Sequence, residues 1–224
     1  MSILERKQRE KEQRRREITN AAERLFFSKA YDSVSMDEIA KEADVSKGTL
    51  FVYFKNKESL FFAVVLRGAR ILNIMIEENV KKCKTGLEAV DTIGATYFEF
   101  VNQYPDYHRA YLYFRSGRFA VEDEADLNEG AKEILRLRRE TFLITCNAIK
   151  QGMEEGTFRK DLDAEEVAIF LTIVLKGLTE MRSDLEKVLN GRGISQQEFF
   201  SDVAGFMHRM LKSLPEKDEI EDEN

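Results

Sequence analysis

Cysteine and histidine, which form disulfides and bind metal ions, are scarce in this chain. Its 224 residues include two cysteines, Cys83 and Cys146, and two histidines, His108 and His208. Two cysteines provide neither a disulfide framework nor a cysteine-ligated zinc site. Two histidines far apart in sequence are too few for a histidine-rich metal centre. We therefore expect no metal site and no cofactor.

Turn-forming residues and long apolar runs are also scarce. The chain has two prolines and 12 glycines, and it contains no run of strict alternation between apolar and polar residues. This composition predicts an all-α protein, which we expect to have about nine helices. The longest apolar run, Val167–Leu175, is far shorter than the ~20 residues of a membrane span. The charged segment 1–16 is not a secretory signal, so we expect a soluble, cytoplasmic protein without a membrane partner.

Charge is unevenly distributed along the chain. Residues 1–60 carry 13 basic and 11 acidic side chains, although the whole chain has a net charge of −6. Residues 1–16 hold seven basic and three acidic side chains and form a basic arm. This arm either contacts DNA or is a solvated helix face with i,i+4 pairs such as Glu10–Arg14. Residues 215–224 form an acidic tail that we expect to be disordered.

The segment 35–54 has the pattern of a helix-turn-helix. Ser35 begins a capping box for one short helix, and Ser46 caps a second helix about three residues after the first ends. Leu50 and Phe54 anchor the second helix, so its N-terminal residues project outward with the positive end of the helix dipole. This arrangement suits a helix that enters a DNA major groove. A plain antiparallel helix pair with exposed polar ends has the same spacing.

The residues themselves resemble a known family. Val45–Leu60, VSKGTLFVYFKNKESL, resembles the signature of the TetR family of transcriptional regulators, and Ile18–Phe27 and Ser35–Ala43 resemble the rest of its N-terminal domain. The resemblance implies a DNA-binding domain at residues 1–57 and a helical domain for dimerisation and ligand binding at residues 58–214.

The resemblance also implies which residues contact DNA. These are Ser35, Lys47, Gly48, Thr49, Phe51, Val52, Tyr53 and Lys57. We add Ser46 to the candidate DNA-binding residues because it lies at the outward-projecting start of the second helix. Two positions depart from the family pattern. Phe51 stands where Tyr is common, so it keeps the ring but lacks a hydroxyl to bond a phosphate. Asp44 stands where Gly is usual in the turn, and Asp tolerates the left-handed conformation better than most residues.

Aromatic residues concentrate in the middle of the chain, where residues 97–119 hold nine of the 23. Ligand pockets are mostly apolar with few polar groups, so we predict an apolar effector pocket here; the same rings could equally fill a core. The candidate lining residues are Tyr97, Phe98, Tyr104, Tyr107, His108, Tyr111, Phe114, Phe142 and Cys146. A long-chain acyl compound or another hydrophobic small molecule suits this composition.

Two helices near the C-terminus are apolar on more than one side, which is typical of helices that pack on two sides. We predict that they form a homodimer interface, although they could also be the core of a monomer. The candidate residues are Phe170, Leu171, Val174, Leu178, Phe199, Val203, Phe206, Met207 and Met210.

These features together predict a repressor that is released from a palindromic operator by a small, apolar effector. The alternative is a helical interaction or ligand-binding module without sequence-specific DNA binding. The sequence contains no G-x-S-x-G, H-E-x-x-H or phosphate-binding glycine loop, so we expect no enzymatic activity.

Overall fold

The computed structural model describes residues 2–119 and 128–212, and within these ranges it contains ten α-helices and no β-strand. The helices are α1 (Ile3–Ser28), α2 (Met36–Glu42), α3 (Lys47–Tyr53), α4 (Lys57–Val80), α5 (Gly86–Gln103), α6 (Pro105–Phe114), α7 (Glu129–Glu154), α8 (Ala164–Thr179), α9 (Ser183–Gly191) and α10 (Gln196–Leu211). The all-α prediction is confirmed. The structure describes one helix more than the expected nine, and the segment that follows α7 contains three of the ten, α8 to α10. The acidic tail, residues 215–224, lies outside the described residues.

The chain divides into two compact units. The first comprises Met1–Ile74 and Phe100–Arg139, and the second comprises Met75–Glu99 and Glu140–Asn224. The first unit extends beyond residue 57, the predicted domain boundary, because the first half of α4 is part of its core. Helix α4 is long and apolar enough to cross a membrane by length and composition alone. Its buried Leu60, Phe62 and Val64 instead identify it as a core helix.

The core of the first unit joins side chains from six helices, α1 to α4, α6 and α7. Ile18 and Phe26 of α1, Ile39 of α2 and Leu50 of α3 pack with the buried side chains of α4. Each such side chain contributes about 1.5–3 kcal/mol when it is fully buried. The two short helices α2 and α3 are therefore held by the longer helices that they pack against.

A cluster of aromatic rings extends this core toward α6. The ring of Phe61 lies 4.9 Å from Tyr31, 5.7 Å from Tyr113 and 5.7 Å from Phe119, measured between centroids. Phe62 contacts Phe114 at 5.1 Å. Burial, followed by the nearby Glu58 carboxylate, raises the pKa of Tyr31 to about 12.

A polar network also fixes α6 to α1 and α4. The hydroxyl of Tyr107 donates to Glu23 Oε2 at 2.7 Å, and Arg67 Nη1 donates to the same oxygen at 2.9 Å. Burial and the bond to Glu23 hold the pKa of Tyr107 well above its usual value. Gly68 permits this contact, since a Cβ at that position would lie 2.7 Å from Tyr107 Cβ. Arg109 adds a bond to the Phe27 carbonyl at 2.9 Å.

The second unit has its own close contacts. Gly152 lies directly against Phe158, where an added Cβ would come within 2.6 Å of two ring carbons. The rings of Phe98 and Phe200 stack at 4.7 Å. His208 Nε2 lies 2.5 Å from Asp91 Oδ1, which places this histidine at a partly exposed edge between α10 and α5.

Replacing Tyr107 with Phe tests the network between α6 and α1. The change removes the hydroxyl that bonds Glu23 and leaves the ring in place. Because hydrogen bonds to charged groups contribute ~1.5–3 kcal/mol and Arg67 remains, we expect the free energy of unfolding to fall by about 1–2 kcal/mol in urea. Tyr113→Phe is the matched control, because its hydroxyl lies 3.4 Å from the exposed Asp32. Equal losses in both variants would contradict a special role for Tyr107.

Candidate nucleic-acid interface

The N-terminus of α2 is fixed by reciprocal capping. The backbone N–H of Glu38 donates to Ser35 Oγ at 3.2 Å, and the backbone N–H of Ser35 donates to Glu38 Oε2 at 2.9 Å. Lys29 Nζ donates to Glu38 Oε1 at 2.9 Å. The Lys29 bond, followed by the Ser35 bonds, lowers the pKa of Glu38 to about 2. The hydroxyl of Ser35, predicted to contact a phosphate, is therefore occupied in capping in this structure.

The turn between α2 and α3 depends on one unusual backbone conformation. Asp44 has a φ of 52°, the left-handed conformation expected where the family has Gly. This conformation allows the Val45 N–H to donate to the Ala40 carbonyl at 3.0 Å. Ala40 is 5% exposed, so its small side chain lets the turn close against α2.

Helix α3 has a buried face and an open face. Leu50 is fully buried, and Phe54, directly after the helix, is 2% exposed. Val52 is 75% exposed and Phe51 is 44% exposed. Ser46 Oγ accepts from the Thr49 N–H at 3.0 Å and caps the helix. The first turn of α3 and the side chain of Val52 are thus exposed to solvent, which agrees with the helix-turn-helix pattern of residues 35–54.

Gly48 is not required by the fold. A Cβ at this position would meet only Ser46 Oγ, at 3.8 Å. Gly within a helix destabilises it by roughly 0.5–1 kcal/mol relative to Ala. No contact inside the described part of the protein compensates this cost. A backbone left bare on an exposed helix face is suited to close approach by another molecule.

Lys47 pairs with a neighbouring acid at the surface. Its Nζ lies 2.7 Å from Asp37 Oδ1 and 3.0 Å from Oδ2. The side chains are 58% and 68% exposed, and exposed pairs of this kind contribute ~0–1 kcal/mol. Lys47 can therefore exchange Asp37 for a phosphate or a base edge at little cost. Sequence reasoning did not identify Asp37, since its pairing with Lys47 depends on how α2 and α3 are packed.

Lys57 has internal partners. Its ammonium group donates to the carbonyls of Tyr31 and Val34, both at 3.0 Å, and lies 4.3 Å from the centre of the Tyr31 ring. It ties the segment before α2 to the start of α4. An ammonium has three donor protons, so a phosphate could take one more bond. Its contact with DNA stays a prediction, and positioning is the role that the structure supports.

Tyr53 also has an internal role. Its ring is partly buried against the first core, and its carbonyl accepts from Arg15 Nη1 at 2.9 Å. The guanidinium of Arg15 lies 4.2 Å from the centre of the Phe54 ring. These contacts anchor the C-terminal end of α3 to α1. Sequence reasoning did not identify Arg15, because it lies 38 residues from Tyr53.

The predicted effector residues are distributed over both units. In the first unit, Tyr107 and Phe114 make the packing contacts described above, and His108 is 6% exposed. In the second unit, Phe98 stacks on Phe200, and burial raises the pKa of the Cys146 thiol. The first unit holds Tyr104, Tyr107, His108, Tyr111 and Phe114; the second holds Tyr97, Phe98, Phe142 and Cys146.

Asn73 in α4 is a polar residue that the sequence analysis missed. It is 6% exposed, and its Nδ2 has no hydrogen-bond partner among the described residues. An unsatisfied buried donor costs about 1–3 kcal/mol, and such groups are rare in native proteins. The signal in the sequence is a lone amide in the apolar run Ile71–Ile76.

The predicted dimer residues fall on both sides of their helices. Leu171 and Leu178 are 7% and 9% exposed, so they pack inside the second unit and are removed from the candidate interface. Helical periodicity places Ile169 and Ile173, which the prediction omitted, on the opposite face of α8, where they are 50% and 63% exposed. The remaining candidates are partly or largely exposed: Phe170, Val174, Phe199, Val203, Phe206, Met207 and Met210.

Comparisons with known proteins agree with this geometry. Residues 18–64 match the family model of bacterial regulatory proteins of the tetR family. The chain is 42% identical over 62 residues to the HTH-type transcriptional regulator YuxN of Bacillus subtilis, a match that covers 25% of this chain and only 21% of that relative. It is 24% identical over 148 residues to the fatty acid metabolism regulator protein of B. subtilis, which covers 66% of this chain and 72% of that protein.

A solved structure has the same fold. The transcriptional regulator FadR from B. subtilis, in complex with stearoyl-CoA, superposes with a TM-score of 0.64 at 18% identity. The superposition covers 85% of this chain and 96% of that chain.

Proposed function

Because the chain belongs to the TetR family of bacterial regulatory proteins, we propose that it is a ligand-responsive transcriptional repressor that binds a palindromic operator as a homodimer. The observation that carries this proposal is the exposed first turn of α3, where Gly48 leaves the backbone bare beside Lys47. The bare backbone beside a cation suits a phosphate or a base edge, and this favours DNA binding over an interaction module without it. The family is a regulatory one, and we propose no catalysis. A cytoplasmic location follows from the need to reach operator DNA.

We propose that Lys47, Gly48 and Val52 lie in the major groove and that Thr49 and Phe51 lie beside the sugar–phosphate backbone. The free N–H groups and positive end of α3 favour a nearby phosphate. Base contacts specify sequence, whereas phosphate contacts set register. Lys57, Ser35 and Tyr53 act mainly by holding α2 and α3 in place.

The dimer proposal rests on the exposed apolar face of α8 and α10. Ile169 and Ile173 project from α8, and Phe206 and Met210 are 53% and 54% exposed on α10. Gln196, at the start of α10, donates to the Leu178 carbonyl near the end of α8 at 3.3 Å, so the two helices meet there. A second copy of the chain supplies an identical apolar face, which a two-fold interface requires.

The effector proposal rests on Asn73 and on the relatives. A buried, unpartnered amide on the apolar helix α4 suits a ligand with an apolar body and a hydrogen-bond acceptor, such as the carbonyl or carboxylate of an acyl compound. A relative is named for fatty acid metabolism, and the solved FadR structure holds stearoyl-CoA. We therefore propose an acyl compound as effector, with its oxygen bonded to Asn73 Nδ2.

Selection of bound sequences from a random DNA pool tests the operator proposal. We expect a palindrome with half-sites one helical turn or somewhat more apart. Lys47→Ala should change the selected bases within each half-site, because a specific base contact contributes about 1–3 kcal/mol. Lys41→Ala removes the same charge from the exposed end of α2 and should leave the selected motif unchanged. The same motif from all three proteins would contradict base recognition by Lys47.

Ile173→Glu tests the dimer. A charge in the centre of an apolar interface should shift the protein to the monomer in sedimentation velocity, with a loss of affinity for the palindrome. Leu185→Glu on α9 is the matched control, because Leu185 is 53% exposed. A dimer that survives Ile173→Glu and dissociates with Leu185→Glu would move the interface to α9.

Asn73→Leu tests the effector site with stearoyl-CoA and stearate as probes of operator release. The near-isosteric change removes an unsatisfied donor, so stability should be unchanged or higher, whereas release should need about tenfold more ligand. Asn79→Leu is the control, because Asn79 Nδ2 already bonds Thr96 Oγ1 at 3.2 Å. Release of the wild-type protein by neither probe would exclude an acyl effector.

A further inference from the structure

Residues 3–16 form the first part of α1 and reach beyond the core. Helix α1 begins at Ile3, but every residue from 2 to 16 is exposed, and Ile18 is the first fully buried side chain. The basic arm is therefore not an irregular segment before the first helix. We call residues 2–14 the helical extension.

Local interactions explain why the helical extension is helical. Ser2 and Glu5 form a capping box, with Ser2 N donating to Glu5 Oε2 at 2.8 Å. Side-chain pairs four residues apart follow, such as Arg6 with Glu10 at 2.9 Å. Each pair contributes ~0.2–0.5 kcal/mol. Because the extension continues a helix that is already packed, it avoids the cost of nucleation.

The charges of the extension are sorted by face. At about 100° per residue, Lys7, Lys11, Arg14 and Arg15 fall within an arc of roughly 100°, and no acidic residue of the segment lies in that arc. We call these four residues the basic stripe. The stripe lies on the same side of α1 as the core-facing Ile18 and Ala22. The described structure gives Lys7 and Lys11 no ion pair, whereas Arg14 pairs with Glu17 at 2.8 Å.

Arg15 fixes the direction of the stripe. Its guanidinium bonds the Tyr53 carbonyl and covers the Phe54 ring, so the stripe begins at the C-terminal end of α3. From there Ser2 lies 13 residues away, or ~20 Å along the helix axis. That length corresponds to about six base pairs at 3.4 Å each.

We propose that the helical extension is a second DNA-contact surface, in which Lys7 and Lys11 bind phosphates that flank the half-site read by α3. This inference rests on the proposed operator binding. The contact is with the backbone, because a helix with side chains is ~10–12 Å across whereas the minor groove is only about 6 Å wide. It adds affinity without adding sequence information.

The test compares three proteins on the operator that the wild-type protein selects. Lys7→Gln/Lys11→Gln removes two charges from the basic stripe. Arg9→Gln/Arg16→Gln removes two charges from the opposite face of the same helix and is the matched control. Circular dichroism and thermal unfolding check that both variants keep α1 folded. Fluorescence anisotropy then measures affinity against salt concentration.

We expect the stripe variant to reduce the salt slope by about 3–4 units for a dimer, since each lost phosphate contact removes ~0.9. The control should change it by less than one unit. Wild-type affinity should rise when the duplex is lengthened by about six base pairs on each side, whatever their sequence, and the stripe variant should not gain. The selected motif should be the same for all three proteins.

Equal slope losses in the stripe and control variants would overturn the proposal, since they indicate only a general effect of charge. An unchanged slope in the stripe variant, or no gain from flanking DNA, would also overturn it. In those cases the wild-type protein still binds its operator, so the proposed function stands. If the wild-type protein selects no sequence and binds no duplex, the proposed function fails and the inference falls with it.

Discussion

A helix of seven residues is not stable alone in water, and the first unit is organised around that constraint. Helix α3 is held by Leu50 and by the adjacent Phe54, whose side chains are buried against α1 and α4. Because Leu50 and Phe54 anchor one face of α3, the residues on the opposite face are not needed to hold the helix in place. The capping of α2, the left-handed Asp44 and the bond from Arg15 to Tyr53 all serve to hold this short helix at a fixed angle.

Lys47 and Lys57 belong to the same motif, but their surroundings suit them to different roles. Lys47 is placed to contact DNA, and Lys57 holds the fold together. Lys47 is exposed and has one exposed carboxylate partner, so a competing anion displaces little. Lys57 is partly buried between two carbonyls and a tyrosine ring, so moving it would leave those groups unsatisfied. Lys47 can therefore exchange its present contact for one with DNA at little cost, whereas Lys57 cannot. This difference is set by the packing of α4 against the segment before α2.

Local sequence patterns predicted the features that depend on neighbours in the chain. The caps at Ser35 and Ser46 and the inward Leu50 follow from spacing within a few residues. The left-handed Asp44 was expected from the resemblance, because the family usually has Gly at that position. The partners of Lys57 and Arg15 lie 23 to 38 residues away, and no local pattern specifies them.

The same limit applied to α8. Val167–Leu175 is apolar nearly all round, so periodicity alone did not distinguish the buried Leu171 from the exposed Ile173. Asn73 stood out only as an interruption, because whether a buried amide has a partner depends on the tertiary structure.

The electrostatics of the chain limit how it can approach DNA. Residues 61–224 carry 22 basic and 30 acidic side chains, and so they repel a polyanion, whereas residues 1–60 carry a small positive excess. Such a separation orients the protein as it nears the duplex and favours binding through residues 1–60. The excess is only two charges, so its placement matters more than its size. The basic stripe lies on the side of α1 that Arg15 anchors to the C-terminal end of α3, and Lys47 lies at the exposed N-terminal end of α3. The acids of the helical extension lie on other faces of α1.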